Sequence, residues 1–172
     1  MVATAEPGGS GAGERIRDLL LDPSFAINPR AELLLFEAAR AQHVDTLIAP
    51  ALESGAVVVC DRFHDSTTAY QGYARGIDLE LVERIDRFAT QGLRPDLTLL
   101  LDLPVDVGLA RQRRADRMSM EDLEFHERVR RGFLAIARSE PERFVVLDAA
   151  RPFDAVYAAA YAAAQDALAD RA

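Results

Sequence analysis

The chain alternates short apolar runs with longer segments in which apolar residues recur at helical spacing. The runs at 56–60, 97–103 and 144–147 are short and continuous, as in parallel strands that are covered on both faces. The segments between them are amphipathic and predict helices. This alternation predicts an α/β domain, in which helices cover both faces of a parallel sheet in three layers.

The pattern also predicts element bounds and inward faces. We expect the end of a strand at 2–4, strands at 56–60, 97–103 and 144–147, and helices at 11–21, 30–54, 66–75, 78–91, from 105, 121–139 and 153–169. The apolar stripes on these helices are Ile16, Leu19 and Leu20; Leu34, Ala38, Ala41, Val44 and Ile48; Leu81, Ile85 and Phe88; Leu123, Val129, Phe133 and Ile136; and Val156, Ala160, Ala164 and Leu168.

The most informative segment follows the strand 56–60. It ends in Asp61 and Arg62, and a polar turn with Ser66, Tyr70 and Gln71 comes next. In open α/β sheets ligands bind at the carboxyl ends of strands. An arginine there can bind phosphate through two N–H groups, and the polar turn suits a base or sugar. The alternative is a capped helix start with an Asp–Arg ion pair.

A second candidate lies on the long helix, where Phe36 and Arg40 share a face at spacing i, i+4. The predicted stripe through Leu34 places both on the face away from the core. A pyrimidine base could stack on Phe36 while Arg40 donates to a base oxygen. A dimer contact through the same face is the alternative.

Composition narrows the class of protein. The chain has 172 residues and a net charge of −8, so we expect one domain and no non-specific nucleic-acid binding. Its single cysteine, Cys60, and the absence of a signal peptide or a long apolar run favour a cytoplasmic protein away from membranes. His43, His64 and His126 do not have the spacing of a metal site.

Several segments, in order, resemble the thymidylate kinases, nucleoside-monophosphate kinases that phosphorylate dTMP. The resemblance covers roughly residues 4 to 150. The resembling segments are Glu6-Pro7-Gly8-Gly9, LLLFEAARAQHV at 33–44, CDRFHDSTTAYQG at 60–72, RGID at 75–78, GLRPDLTLLLDLPVDVGLAR at 92–111 and DRMSMEDLEFHERVR at 116–130.

The resemblance implies the nucleotide kinase form of the P-loop fold, with dTMP and ATP as substrates, Mg²⁺ as cofactor and a homodimer as the assembly. It also implies roles for individual residues. Those implied to bind dTMP are Glu6, Phe36, Arg40, Arg62, Ser66, Thr67, Tyr70 and Gln71. A mobile lid at about 111–122 would bring Arg111, Arg113 and Arg114 to the donor phosphates, and the residues implied in catalysis are Asp61, Arg62, Arg114 and Arg117. The alternative for this cluster is a solvated basic helix face.

The sequence also departs from the family pattern. All 20 basic residues are arginine, so there is no G-x-x-x-x-G-K-[ST] phosphate loop. We expect the family's first strand, phosphate loop and first helix to be absent, and the glycine-rich run 8–13 to be a flexible turn. Ala5 stands where the family has arginine. These departures predict that residues 1–172 do not catalyse phosphoryl transfer at a useful rate. They leave open a non-catalytic nucleotide-binding remnant or a related deoxynucleotide kinase for another base.

Overall fold

The computed structural model describes residues 1–112 and 116–169. Strands and helices alternate along the chain, as the apolar pattern predicts. The strands are β1 Val2–Ala5, β2 Val58–Asp61, β3 Thr98–Asp102 and β4 Phe144–Asp148. The helices are α1 Gly11–Leu21, α2 Pro29–His43, α3 Ala49–Glu53, α4 His64–Thr67, α5 Leu79–Thr90, α6 Val105–Ala110, α7 Leu123–Ser139 and α8 Phe153–Ala169. π-helical segments, Val44–Ile48 and Thr68–Ala74, continue α2 and α4.

Side-chain caps explain where several helices begin. The Ser10 hydroxyl accepts a hydrogen bond from the N–H of Gly13, so the glycine-rich run predicted as a flexible turn instead starts α1. The Asn28 side chain accepts from Ala31 N, with Pro29 as the first helical residue. Helix α5 ends at Gln91, which adopts the left-handed conformation at φ 53°.

The strands pair in parallel, which confirms the α/β class. Strand β1 pairs with β2 from Val2 opposite Val58 onward, and β3 pairs with β4 from Thr98 opposite Phe144 onward. In the described ranges the ladders form two separate two-stranded units rather than one continuous sheet.

The core is centred where α7 packs across the π-helical segment Thr68–Ala74. Gly132 permits this approach, because a Cβ at that position would lie 2.8 Å from the Cβ of Tyr73. The buried apolar residues of this cluster are Ala69, Ala74, Met118, Phe125, Val129, Ile136, Ala137 and Phe144.

Several predicted inward stripes are wrong. Leu34 is 58% exposed and Phe88 is 86% exposed, and the structure also exposes Leu81, Leu123 and Leu168. The inward faces of α2 and α5 carry ionisable side chains, including Arg40 and Asp86, instead. These side chains pair with one another in the interior, so the helices rotate their leucines outward.

Within the described ranges, no helix combines the length and apolar character needed to cross a membrane.

Candidate active site

A cleft of about 130 Å³, partly open to solvent, lies beyond the carboxyl ends of β1 and β2. It contains the side chains that the sequence assigned to dTMP binding. The cleft is lined by Glu6, Pro7, Arg17, Leu21, Phe36, Arg40, Arg62, Ser66, Thr67, Tyr70, Gln71, Asp116 and Met118. Residues as far apart in the sequence as Glu6 and Met118 therefore line the same cleft.

Arg62 reaches the cleft from the residue directly after β2. Its backbone is left-handed, at φ 67°, which turns the chain sharply from the strand into α4. The guanidinium carbon lies 5.5 Å from the centre of the Tyr70 ring. Within the described residues Arg62 has no carboxylate partner, so the predicted alternative of an ion pair with Asp61 does not form. The Asp61 side chain is exposed at the end of the strand.

Tyr70 is fixed by aromatic neighbours on α7. Its ring centre lies 6.1 Å from that of Phe125 and 6.3 Å from that of Phe133, both edge-on. These contacts hold one wall of the cleft in place. The face of the Tyr70 ring therefore has a defined position toward any ligand.

Arg40 does not lie on a solvent face, as the helix pattern predicted, because its side chain is 2% exposed. Its Nε donates to Glu6 at 2.8 Å, and its Nη1 contacts Glu37, Thr67 and Asp86. In the described part of the chain, Nη2 has no hydrogen-bond partner. Since Arg40 lines the cleft, this edge of the guanidinium group remains free to donate to a ligand.

Glu6 binds Arg40 on the Nε side of its guanidinium group. Its Oε2 accepts from Arg40, and its Oε1 lies 2.9 Å from Nδ1 of His43, whose Nε2 lies 2.7 Å from the Thr4 hydroxyl. Gly9 packs so closely on His43 that a Cβ there would lie 2.2 Å from Nε2. Both carboxylate oxygens of Glu6 thus have protein partners, and Glu6 holds the guanidinium group of Arg40 in position.

A second buried carboxylate, Glu32, collects the side chains of Gln71, Arg75 and Arg117. Gln71 donates to it at 2.8 Å, Arg75 at 3.0 Å, and Arg117 Nη1 lies 2.6 Å away. Arg117 also donates to the Leu20 carbonyl, so it ties the segment after 115 to α1. Two residues predicted to act on substrate, Gln71 and Arg117, therefore have structural partners.

Arg111 donates to the Ala149 carbonyl at 2.9 Å and is exposed. Arg113 and Arg114, the other predicted lid arginines, lie outside the described residues. Arg117 is not among the residues that line the cleft in the described ranges.

Five residues that line the cleft were not predicted from the sequence: Pro7, Arg17, Leu21, Asp116 and Met118. Arg17 lies on α1, and its Nη1 donates to the Pro7 carbonyl at 2.7 Å, which turns a cation toward the cleft. It has no carboxylate partner among the described residues. Asp116 accepts from the N–H of Ser119 at 2.7 Å. Asp116 and Met118 lie in the family-like segment 116–130, whereas no sequence signal separates Arg17 and Leu21 from ordinary helix positions.

Cys60, at the end of β2, contributes packing rather than reactivity. Burial, with the nearby negative charge of Glu6, raises the pKa of its thiol to about 12. The thiol donates to the Arg62 carbonyl, with 3.0 Å between sulfur and oxygen. The described residues include no group of three His, Cys, Asp or Glu side chains that could hold a metal ion by themselves.

Parallel strands that lead into a cleft with arginines and aromatic rings define the class of protein: an α/β protein whose cleft has the side chains to bind a nucleotide. Known proteins agree with this class. The family model for thymidylate kinase matches residues 1–160.

The similar proteins are themselves thymidylate kinases. The one from Desulfosudis oleivorans is 54% identical over 162 residues, covering 88% of this chain and 76% of its own. The one from Synechococcus sp. strain JA-3-3Ab is 57% identical over 150 residues, covering 86% and 72%. The crystal structure of thymidylate kinase from Ehrlichia chaffeensis superposes with a TM-score of 0.77 at 35% identity, covering 95% of this chain and 79% of that one.

The chain belongs to the thymidylate kinase family. It is accordingly a kinase, a transferase that binds nucleotides.

Proposed function

We propose that the protein transfers the γ-phosphoryl group of ATP to dTMP, giving dTDP, with dTMP bound in the cleft that Phe36 and Arg62 line. One observation carries this proposal. An aromatic ring and two arginines with free donors, Arg40 and Arg62, line one cleft at the end of β2. A nucleotide needs such a set, because it combines a flat base with a dianionic phosphate.

The base is proposed to stack on Phe36 and to accept a hydrogen bond from the free Nη2 of Arg40. A carbonyl oxygen on the base suits this donor, whereas an exocyclic amino group would place donor against donor. Ser66 and Thr67 line the same cleft and supply hydroxyl groups for the remaining base and sugar edges.

The sugar is proposed to pack on Tyr70. Because Phe125 and Phe133 contact the Tyr70 ring edge-on, this ring cannot easily move aside for an additional group on the sugar. A 2′-hydroxyl would need space that the fixed ring occupies. This supports deoxyribose rather than ribose as the sugar.

The acceptor phosphate is proposed to bind Arg62, with Arg17 as a second cation. Neither has a carboxylate partner among the described residues, so their charge is available to an anion. Phosphoryl transfer depends mainly on position and charge neutralisation. Mg²⁺ would add charge neutralisation, and the exposed Asp61 carboxylate, with phosphate oxygens and water, is of the ligand type it prefers.

On the donor side, Arg111, Arg113 and Arg114 are proposed to bind the phosphates of ATP. The sequence has no lysine and no G-x-x-x-x-G-K-[ST] motif. We therefore propose that residues 1–172 as an isolated polypeptide bind dTMP but transfer the phosphoryl group slowly.

The test compares Phe36→Ala with Phe25→Ala, a half-exposed phenylalanine outside the cleft. Loss of one stacked base contact is expected to weaken dTMP binding by about 1–3 kcal/mol. Titration calorimetry with dTMP measures binding, and dTMP-dependent formation of ADP measures transfer. Equal dTMP affinity in the two variants would refute the stacked-base assignment.

Homodimerisation is proposed through the outward face of α5, with a second copy of the chain as the partner. Leu81 and Phe88 lie seven residues apart on this face, and Phe88 is 86% exposed. The same helix carries exposed side chains of both charges, namely Glu80, Glu83, Arg84 and Arg87. A two-fold contact needs a self-complementary surface of this kind.

Sedimentation velocity tests this assembly. Phe88→Glu is expected to shift the protein toward monomer, because the contact would bury two unpaired carboxylates. Phe153→Glu, at an equally exposed position on α8, is the matched control and should leave the assembly unchanged. A dimer unaffected by Phe88→Glu would place the contact elsewhere.

A further inference from the structure

Arg40 is surrounded by more negative than positive charge. Three carboxyl groups from separate elements contact its guanidinium group: Glu6 after β1, Glu37 on α2 and Asp86 on α5. Glu6 and Glu37 are at most 4% exposed as side chains, and Asp86 is 12% exposed. Three ionised carboxylates on one cation would leave uncompensated charge in the interior, which is costly.

The contacts at Arg40 leave two carboxyl groups incompletely satisfied: Glu37, whose Oε2 has no hydrogen-bond partner among the described residues, and Asp86. Nη1 carries two hydrogens but contacts three acceptors, on Glu37, Thr67 and Asp86. The contact to Asp86 is the longest of the three, at 3.1 Å. Asp86 therefore receives the weakest compensation from the guanidinium group.

The other oxygen of Asp86 faces a histidine. Its Oδ2 lies 3.5 Å from Nδ1 of His64, and the Nε2 of that ring lies 3.6 Å from Oδ1 of Asp65. Asp65 is ionised, since Arg143 donates to both of its oxygens, at 2.6 and 2.9 Å. A neutral imidazole has one N–H and one lone pair. Neither ring nitrogen of His64 makes a hydrogen bond among the described residues, so the charge of the ionised Asp65 decides the tautomer: it attracts the N–H to Nε2 and leaves the lone pair of Nδ1 toward Asp86.

A lone pair on Nδ1 is complementary to a carboxylic O–H and repels a carboxylate. We propose that Asp86 is a positioning residue of the base site that acts in its neutral form, with its O–H toward His64 and its carbonyl oxygen accepting from Arg40. Asp86 does not line the cleft in the described ranges, so it acts on a ligand through Arg40. This assignment rests on the proposed pyrimidine nucleotide as the ligand.

The proton state of Asp86 would change ligand affinity by two routes. A neutral Asp86 leaves more of the Arg40 charge for a base oxygen at Nη2. A bound base also covers the cleft and removes water from the carboxyl groups around Arg40, which further disfavours the ionised form of Asp86. Binding is therefore tighter when Asp86 is protonated.

The surroundings of Asp86 agree with this assignment. Burial raises the pKa of Asp86 to about 7, against the opposing effect of Arg40. Burial likewise lowers the pKa of His64 to about 4, so the imidazole is neutral near pH 7. The charged and titratable groups that face Asp86 are Arg40 and Glu37 on α2, Glu6 after β1, and His64 and Asp65 on α4.

The experiment uses thymidine as the probe, because it has the base and sugar but no phosphate that titrates near pH 6. Its affinity for the protein is measured by calorimetry between pH 6 and pH 8. With a midpoint near pH 7, one-proton linkage predicts weaker binding at pH 8 than at pH 6, by about tenfold in the limit where only the protonated form binds. Asp86→Asn copies the neutral acid, since its amide donates to His64 and accepts from Arg40. It should bind thymidine as tightly at pH 8 as at pH 6.

Two further variants separate positioning from general damage. Asp86→Ala removes both contacts and is expected to weaken binding about fivefold or more at pH 6. Asp45→Asn, at an exposed aspartate that accepts from Gln91, is the matched control and should keep the wild-type pH dependence. Rescue by asparagine but not by alanine would not follow from a merely structural role.

A second measurement needs no ligand. In ¹³C-aspartate-labelled protein, one carboxyl signal should titrate near pH 7 and should be lost in Asp86→Asn. Absence of this signal would overturn the assignment. So would a pH dependence of thymidine binding that is the same in Asp86→Asn and wild type. Thymidine that fails to bind wild type at any pH, with the carboxyl signal present, would instead refute the proposed ligand.

Discussion

Replacement of Glu32 by alanine is expected to destabilise the protein strongly. The Glu32 side chain is fully buried, and it binds Arg75 and Arg117, whose side chains are 15% and 11% exposed. Removing one partner from a buried ion pair typically costs about 3–5 kcal/mol. Because both guanidinium groups keep some contact with water, we expect the lower end, about 3 kcal/mol in the free energy of unfolding. Urea unfolding followed by circular dichroism measures it.

The matched control is Glu124→Ala. Glu124 is 78% exposed and pairs with Arg128 at i, i+4, so its loss should cost less than about 0.5 kcal/mol. Burial opposes ionisation of Glu32, but hydrogen bonds from Arg75, Gln71 and Arg117 lower its pKa below 4.5. The contribution of Glu32 is thus complete above about pH 4.5 and lost as pH falls through the folded-state pKa. Equal effects of the two alanine variants at pH 7 would refute this reasoning.

Two further predictions concern Cys60 and the strands. Because the pKa of the Cys60 thiol is raised to about 12, iodoacetamide at pH 8 should modify it far more slowly in folded protein than in urea; equal rates would contradict the raised pKa. The isolated polypeptide 1–172 should unfold over a broad temperature range, because its described strands form two separate pairs and expose Val59, Leu101 and Val146. A sharp calorimetric transition would contradict this.

The sequence predicted the order and type of the elements well, since short apolar runs and capped amphipathic segments are local signals. Helix α1 begins and ends where the pattern placed it, and α5 starts after its Asp78 cap. The α/β class follows from the same alternation. Apolar runs do not encode which distant segments pair, so the separation of the ladders into β1–β2 and β3–β4 could be anticipated only from the expected absence of the family's first strand.

The inward faces of α2 and α5 were predicted wrongly for one physical reason. Amphipathic analysis assumes that charged residues face water. Here Arg40 on α2 and Asp86 on α5 contact each other in the interior, and Glu6 also binds Arg40, so a helix face rich in ionisable groups becomes the buried one. Their separation of 46 residues in sequence means that no local pattern could reveal the pair.

The same geometry explains why predicted site residues divide into two groups. Phe36, Arg62 and Tyr70 keep open surface toward the cleft, whereas Gln71 and Arg117 converge on Glu32. A sequence motif indicates which type of side chain occupies a position. It does not indicate whether that side chain binds a ligand or a neighbouring carboxylate. The hydrogen-bond partners seen in the structure make that distinction, because an arginine whose N–H groups all bind protein acceptors cannot neutralise a phosphate. Arg40 combines both roles, since its Nε and Nη1 are held by protein carboxyl groups and its Nη2 remains available.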